Sequence, residues 1–369
     1  MDVLNIGGYM GEGFSTCDWG RLPQPALERI IIILEAQKYK TTLGSFRLAN
    51  RHWCNTLNQC LSWLRPRKHL PQDLPETTVA KFINIRHIEL LDIPINPQRL
   101  RAALVALKHL SALMLRQNGL GPGAMSEICP ALQLCQQMTH LSINDNLIGD
   151  AGMYCLSEVV KSNRALTELR LWSAGVGDEG LSALAGALED GSELKILDLR
   201  GNCVTKIGAK ILGTVLRKEI ALECVVLAGN SICAQGLHYL SEALKRPTNL
   251  KVLDLGGCQV GDPGVVDLAG ALSQNFCLEA LVLTWNNITD VGASSISIAL
   301  SGGANLRCLD LRDNRIMDEG VKHLVESAKL SKSLKELGVR WNPMSPDFLS
   351  SLQSEAAQMR AKLGTNVYA

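Results

Sequence analysis

An α/β solenoid of strand–helix units is the fold class this sequence predicts. A leucine-rich phrase, Leu-x-x-Leu-x-Leu-x-x-Asn-x-Ile in outline, starts at Leu110, Met138, Leu166, Leu194, Leu222, Leu250, Leu278, Leu306 and Leu334, every 28 residues without a slip. Within the phrase the apolar places alternate as in a strand, and after it they recur at helical spacing. The composition, 46% hydrophobic but only 4% aromatic, suits stacked leucines better than an aromatic core. A chain of 369 residues would otherwise predict two or three domains, but a solenoid lengthens by adding units and absorbs most of it.

Each element has a physical reason. Strands are expected to begin near residues 112, 140, 168, 196, 224, 252, 280, 308 and 336, all parallel, with the leucines at places one, four and six turned inward. An earlier, degenerate copy runs Ile85, Ile88, Leu90, Ile93, Ile95. Asn118, Asn146, Asn202, Asn230, Asn286, Asn314 and Asn342 sit where each strand turns away, so their amides can satisfy backbone groups left unpaired there. Cys258 can replace that asparagine with a weak thiol bond, whereas Ala174 cannot, which leaves Gly175 to help close the turn and makes the region near Trp172 the least determined. Leu181, Leu184 and Leu188 share one helical face, as do Leu237, Leu240, Leu244 and Val265, Leu268, Leu272. Asp150, Asp178, Asp262, Asp290 and Asp318 at the helix starts are expected to cap exposed amides. Glycine follows two places later, at Gly152, Gly180, Gly208, Gly236, Gly264, Gly292 and Gly320, which implies that a side chain there would strike a neighbouring turn.

Repeats of this length with a full helix resemble the ribonuclease-inhibitor class of leucine-rich repeats over residues 83–345. The resemblance implies a leucine-rich-repeat horseshoe solenoid, with strands on the concave side and helices outside. Nine or ten strands at about 4.8 Å each give a sheet roughly 40 Å across, wide enough for a protein partner.

A second pattern precedes the repeats. Leu22-Pro23, then Leu27, Ile30, Ile31 and Leu34, then Leu43, Phe46 and Leu48, and finally Arg51-His52-Trp53 reproduce the order and spacing of an F-box, and residues 21–64 resemble that family. Read physically, this is a small helical module: Pro23 and Pro25 favour a helix start, the apolar residues make a stripe, and Trp53 is a large anchor. The resemblance implies that Leu22, Pro23, Leu27, Ile31 and Trp53 dock a Skp-type adaptor of a cullin ubiquitin ligase. Ala49-Asn50 departs from the usual Val-Cys, and Ile30 to Ile33 carries no acid. The competing reading is a helical cap over the first strand, which any repeat array needs. Around these parts, residues 1–20 read as a flexible arm, 65–82 as a connector with Arg65, Arg67, Lys68 and His69, and 346–369 as a capping helix and tail, with Phe348, Leu349, Leu352, Ala356, Met359 and Leu363 on one face.

Other chemistry is thinly represented. A net charge of +1 favours neither nucleic acid nor a membrane as partner. The N-terminus has no basic start with an apolar core, and no apolar run approaches the length of a span, so a cytoplasmic or nuclear location is expected. The twelve cysteines show no paired CxxC spacing and read as reduced structural thiols, and the sequon at Asn287 falls inside a repeat turn. No GxSxG, P-loop or HExxH pattern occurs, so neither an enzyme nor a cofactor or metal site is expected.

Function is therefore expected on the concave face. One outward column runs Met114, Ser142, Arg170, Asp198, Val226, Asp254, Val282, Asp310, Gly338, and the next Arg116, Asn144, Trp172, Arg200, Ala228, Gly256, Thr284, Arg312, Arg340. A third holds Asp145, Ser173, Gly201, Gly229, Gly257, Trp285, Asp313 and Trp341. Arg170, Trp172, Arg200, Trp285, Arg312, Arg340 and Trp341 are the candidate partner-binding residues, because tryptophan and arginine dominate interface energetics. The arginines point to an acidic epitope, unless Arg170 with Asp198 and Arg312 with Asp310 form cross-strand ion pairs. The expected function is a substrate-recognition subunit of a Skp-cullin-F-box ubiquitin ligase, monomeric outside its complex, that binds a target protein on this face. A GTPase activator with repeats of this class and an adaptor-free scaffold or inhibitor are the alternatives.

Overall fold

The computed structural model describes residues 63–64 and 85–369. They form one twelve-stranded sheet whose strands lie in chain order and pair in parallel throughout. The strands are β1 Trp63–Leu64, β2 His87–Leu91, β3 Ala112–Arg116, β4 His140–Ser142, β5 Glu168–Arg170, β6 Ile196–Asp198, β7 Cys224–Val226, β8 Val252–Asp254, β9 Ala280–Val282, β10 Cys308–Asp310, β11 Glu336–Gly338 and β12 Asn366–Tyr368. From β3 to β11 each begins at its expected residue. The degenerate copy is also present, as β2 in register with β3. Trp63–Leu64, expected at the end of a helical module, instead extends the sheet. The F-box-like positions Leu22, Pro23, Leu27, Ile31 and Trp53 lie outside the described residues.

Ten helices alternate with these strands among the described residues: α1 Pro97–Ala106, α2 Pro122–Leu132, α3 Gly149–Ser162, α4 Asp178–Glu189, α5 Lys206–Leu216, α6 Cys233–Leu244, α7 Gly261–Leu272, α8 Asp290–Ser301, α9 Asp318–Leu330 and α10 Pro346–Leu363. Helices pack 8–10 Å apart and strands about 4.8 Å apart, so an array of strand–helix units bends with the sheet on its inner side. The core lies between the two layers. Leu110, Leu113 and Leu115 of the first unit are fully buried, as are Leu194, Leu197 and Leu199, and Leu250 and Leu255. Each such leucine contributes about 1.5–3 kcal/mol. In α10, Leu352 and Met359 are buried over the last unit, and β12 then closes against β11, a strand that three residues of sequence do not announce.

The asparagines form the expected ladder. Asn230 Nδ2 donates to the carbonyls of Leu199 and Leu227 at 2.8 and 2.7 Å, and its Oδ1 accepts the Val204 amide at 3.0 Å. Cys258 takes the same place with a thiol bond to Leu227 O at 3.2 Å. At Ala174 the three carbonyls that an asparagine would serve find other donors. Ile143 O accepts from Asn146 Nδ2 at 3.2 Å, Leu171 O from Asn202 Nδ2 at 2.7 Å, and Trp172 O from the Asp145 amide at 2.7 Å. The turn therefore closes without an asparagine.

The helix-start aspartates act differently from the expectation. None of them caps its own helix; each caps the next one. Asp262 Oδ1 accepts the amides of Thr289 and Gly292 at 2.9 and 3.0 Å, and Oδ2 accepts the Thr289 hydroxyl at 2.6 Å. Asp150, Asp178, Asp290 and Asp318 repeat this toward their own successors. A side chain at a helix start reaches the adjacent unit as readily as its own, since the units stack in register. This also explains the glycines. A Cβ on Gly180 would stand 2.6 Å from Asp150 Oδ1, and one on Gly292 2.6 Å from Asp262 Oδ1. Where the aspartate is missing, a Cβ on Gly236 or Gly264 would stand 3.1 Å from the Cα of Lys206 or Ala234.

Candidate protein-binding face

The three outward columns stand on the sheet face that carries no helices. The third column has a backbone property in common. Asp145, Ser173, Gly201, Gly229, Gly257, Trp285, Asp313 and Trp341 all have φ between 50° and 70°, the left-handed region. From Asp145 to Asp313 each amide turns to the carbonyl of the next unit, as Gly229 N does to Gly256 O at 2.7 Å and Trp285 N to Arg312 O at 3.2 Å. Glycine adopts this conformation freely and aspartate at modest cost, whereas a tryptophan there is strained by about 1–3 kcal/mol. Trp285 and Trp341 nevertheless occupy it, each 67% exposed. Trp172, in the second column, is less open, with the Arg116 guanidinium 5.1 Å from its ring centre.

The arginines are engaged within the face. Arg200 Nε donates to Asp198 Oδ1 at 3.0 Å, and its Nη2 lies 2.9 Å from Oδ2. Arg312 does the same to Asp310, with Nε 2.8 Å from Oδ1, and lies 5.9 Å from the Trp341 ring centre. Arg170 pairs with Glu168, and Arg340 Nε donates to the Ala369 backbone oxygen at 3.1 Å. These carboxylate pairs run along one strand, two residues apart, and not across strands as expected for Arg170 with Asp198. Alternate residues of a strand share a face, and the Asp198 carboxylate is already held by the Arg200 amide at 3.1 Å, which aims it at its own arginine. The case for an acidic epitope weakens accordingly, because Arg170, Arg200 and Arg312 already face carboxylates.

Two shallow depressions mark the ends of the face. One of about 210 Å³ lies over Gly338 between Arg312, Arg340, Glu336 and Tyr368, and one of about 350 Å³ between Met114, Arg116, His140, Ser142, Glu168 and Arg170. Between them the surface is low, with Ala228, Gly229, Gly256 and Gly257. Asp254 is the exception in this middle stretch. Its Oδ1 accepts the Gly256 amide at 3.0 Å, and partial burial raises its carboxyl above the usual range. The Arg200 guanidinium draws it down from farther off without a hydrogen bond to it, and among the described residues no group of three or more histidine, cysteine or acidic residues is placed to hold a metal ion. The sequence columns run along this sheet but give no indication of the pairing within strands or of the left-handed third column.

The comparisons with known proteins fit this architecture. A family model described as "Leucine Rich repeat" matches residues 135–157, 162–185, 193–213, 246–269, 274–297 and 304–325, and the units are leucine-rich repeats. No F-box is detected. Among solved structures, an internalin (inlF) from Listeria monocytogenes str. 4b F2365 is similar with a TM-score of 0.51 and 16% identity, over 85% of this chain and 82% of that one, a likeness of fold. Leiomodin-1 actin-binding site 2 aligns at a TM-score of 0.31 and 21% identity, over 38% of this chain and 86% of that one. No curated protein matches the sequence.

Proposed function

We propose that this chain is a substrate-recognition subunit of a Skp-cullin-F-box type ubiquitin ligase, working in the cytoplasm or nucleus. In this reading the concave sheet holds a target protein, and the segment from Leu22 to Trp53 holds a Skp-type adaptor. Such a subunit carries out no bond chemistry of its own. It raises the local concentration of the target beside the ligase by binding both at once.

The observation that carries the target-binding half is the pair Trp285 and Trp341, each 67% exposed at a left-handed backbone position. Strain and exposure together are not favourable for the free protein, and contact with a partner offsets both. The adaptor half rests on the order Leu22-Pro23, Leu27, Ile31 and Trp53 in the sequence.

The test is affinity capture with the full chain against purified Skp-type adaptor and cullin. The wild type is expected to retain both, and a Leu22→Ala, Pro23→Ala double variant to retain neither while melting at the same temperature. Loss of melting cooperativity in the variant, or no capture by the wild type, would identify the segment as a cover for the end of the solenoid.

A further inference from the structure

On the concave face, the Arg312 guanidinium sits in a frame of three residues. Asp310 stands two places before it, Gly338 is in register beside that aspartate, and Trp341 comes from the next unit. Two units earlier the same frame recurs without the arginine. Asp254 takes the place of Asp310, Trp285 that of Trp341 and Gly256 that of Arg312, while Val282 stands where Gly338 does, as Val226 stands beside Asp198 in the Arg200 pair. The match extends to conformation: Trp285 and Trp341 have φ of 58° and 59°. It also holds at the carboxylate, where Asp254 Oδ1 accepts the Gly256 amide at 3.0 Å just as Asp310 Oδ1 accepts the Arg312 amide at 3.1 Å.

We infer that Asp254 and Trp285 form a vacated arginine site, which takes a guanidinium from an arginine side chain of the partner protein. This deepens the target-binding half of the proposed function and rests on it. The chain itself supplies two examples of the recognition, Arg312 on Asp310 and Arg200 on Asp198, each aspartate being held by the amide two residues on. The two-point fork and the flat face of a guanidinium fit a carboxylate beside an indole, and an ammonium fits less well. Position 256 cannot carry the arginine, and Arg200, whose charge reaches Asp254 from farther off, is hydrogen-bonded to Asp198. A Cβ on Gly256 would stand 2.7 Å from Thr284 Oγ1, so the threonine leans over the glycine and access comes from solvent. Burial raises the Asp254 carboxyl even though the Gly256 amide and the Arg200 guanidinium lower it, as fits an acid with no cation hydrogen-bonded to it.

The experiment is a nuclear magnetic resonance titration of the full chain, with tryptophan indole groups as reporters. The probes are a blocked Gly-Arg-Gly peptide and the same peptide with citrulline, which keeps the shape and loses the charge. The arginine peptide is expected to shift the Trp285 indole saturably while leaving Trp341 unmoved, and the citrulline peptide to shift neither. In Asp254→Asn, which keeps the side-chain shape, affinity for the arginine peptide should fall about tenfold or more, the loss expected when a charge-assisted bond is removed. No saturable shift, an equal shift with citrulline, or unchanged affinity in the variant overturns the inference. Once a partner has been identified, capture that is lost with Trp341→Ala but unaltered by Asp254→Asn overturns this site alone. Capture unaltered by both overturns the concave reading beneath it.

Discussion

The Gly208 amide donates to Asp178 Oδ1 at 2.8 Å, so the start of α5 is capped by a side chain of the preceding unit, thirty residues back. The same oxygen accepts the Thr205 amide at 2.8 Å, and Oδ2 the Thr205 hydroxyl at 2.5 Å. One aspartate thus ties two units together and satisfies two of the amides that a helix start leaves open. Units joined in this way melt together.

Asp178→Ala should therefore destabilise the solenoid by about 2 kcal/mol, more than an ordinary cap because two amides and a hydroxyl lose their acceptor. Gly208→Ala should destabilise by a comparable amount, since its Cβ would stand 2.5 Å from Asp178 Oδ1 and 2.6 Å from Val204 Cγ1. The double variant should cost less than the sum, because one of the two clashes is then gone. Denaturant unfolding of the four proteins checks this, and strict additivity would mean that the glycine serves only Val204.

Asn230→Ala should cost about 1–2 kcal/mol, because the buried Val204 amide loses its acceptor and Leu199 O and Leu227 O each lose one of two donors, keeping Asn202 Nδ2 at 2.9 Å and the Cys258 thiol at 3.2 Å. Cys258→Ala at the equivalent place should cost clearly less, since its thiol makes weaker bonds, to Leu227 O at 3.2 Å and Gly256 O at 3.8 Å. The comparison of midpoints in urea separates the two.

Much of this fold is legible in sequence, and the reason is its periodicity. The nine strand starts follow from the leucine register, and the role of Asn230 follows from its place at the strand end. What is not legible depends on which unit a side chain reaches. Asp178 reads as a cap for α4 but serves α5, and Asp198 reads as a cross-strand partner of Arg170 but holds Arg200. Both alternatives lie within a side chain's reach, and only geometry decides between them. β12 is missed because Asn366–Tyr368 has no leucine phrase, pairs with β11 through its backbone and packs only Val367 against the core. The candidate face is legible as columns, yet the strain at Trp285 and Trp341 is not, because a left-handed backbone leaves no mark when the residue is tryptophan.

Thiol labelling of the native protein should divide the cysteines by burial. Burial pushes the Cys135 thiol up to about 11 and the Cys258 thiol up to about 12, and raises Cys129 further. At pH 8 these three are almost wholly protonated and enclosed, so they should resist iodoacetamide, while exposed Cys203 should react. Peptide mass spectrometry after a short pulse, with and without denaturant, reads the difference.

Asp254 should reveal itself in the pH dependence of stability. Its carboxyl is raised in the folded state, so the fold favours the neutral form, and that contribution is present at low pH and lost as pH rises through the folded value. Asp254→Asn should therefore unfold at a higher denaturant concentration than the wild type at neutral pH, with the difference vanishing in acid. A variant equally or less stable at neutral pH would mean that the attraction of the Arg200 guanidinium and the Gly256 amide outweighs the burial.

The account's central claim is that the sheet face, and not the helical exterior, holds the partner. Hydrogen exchange with mass spectrometric readout, on the full chain alone and in complex with an identified partner, tests it most directly. Protection is predicted in segments running from the strands into the left-handed column, 168–173, 196–201, 252–257, 280–285, 308–313 and 336–341, with α3 to α9 unchanged. Protection confined to those helices, with the sheet segments exchanging as in the free chain, would contradict it.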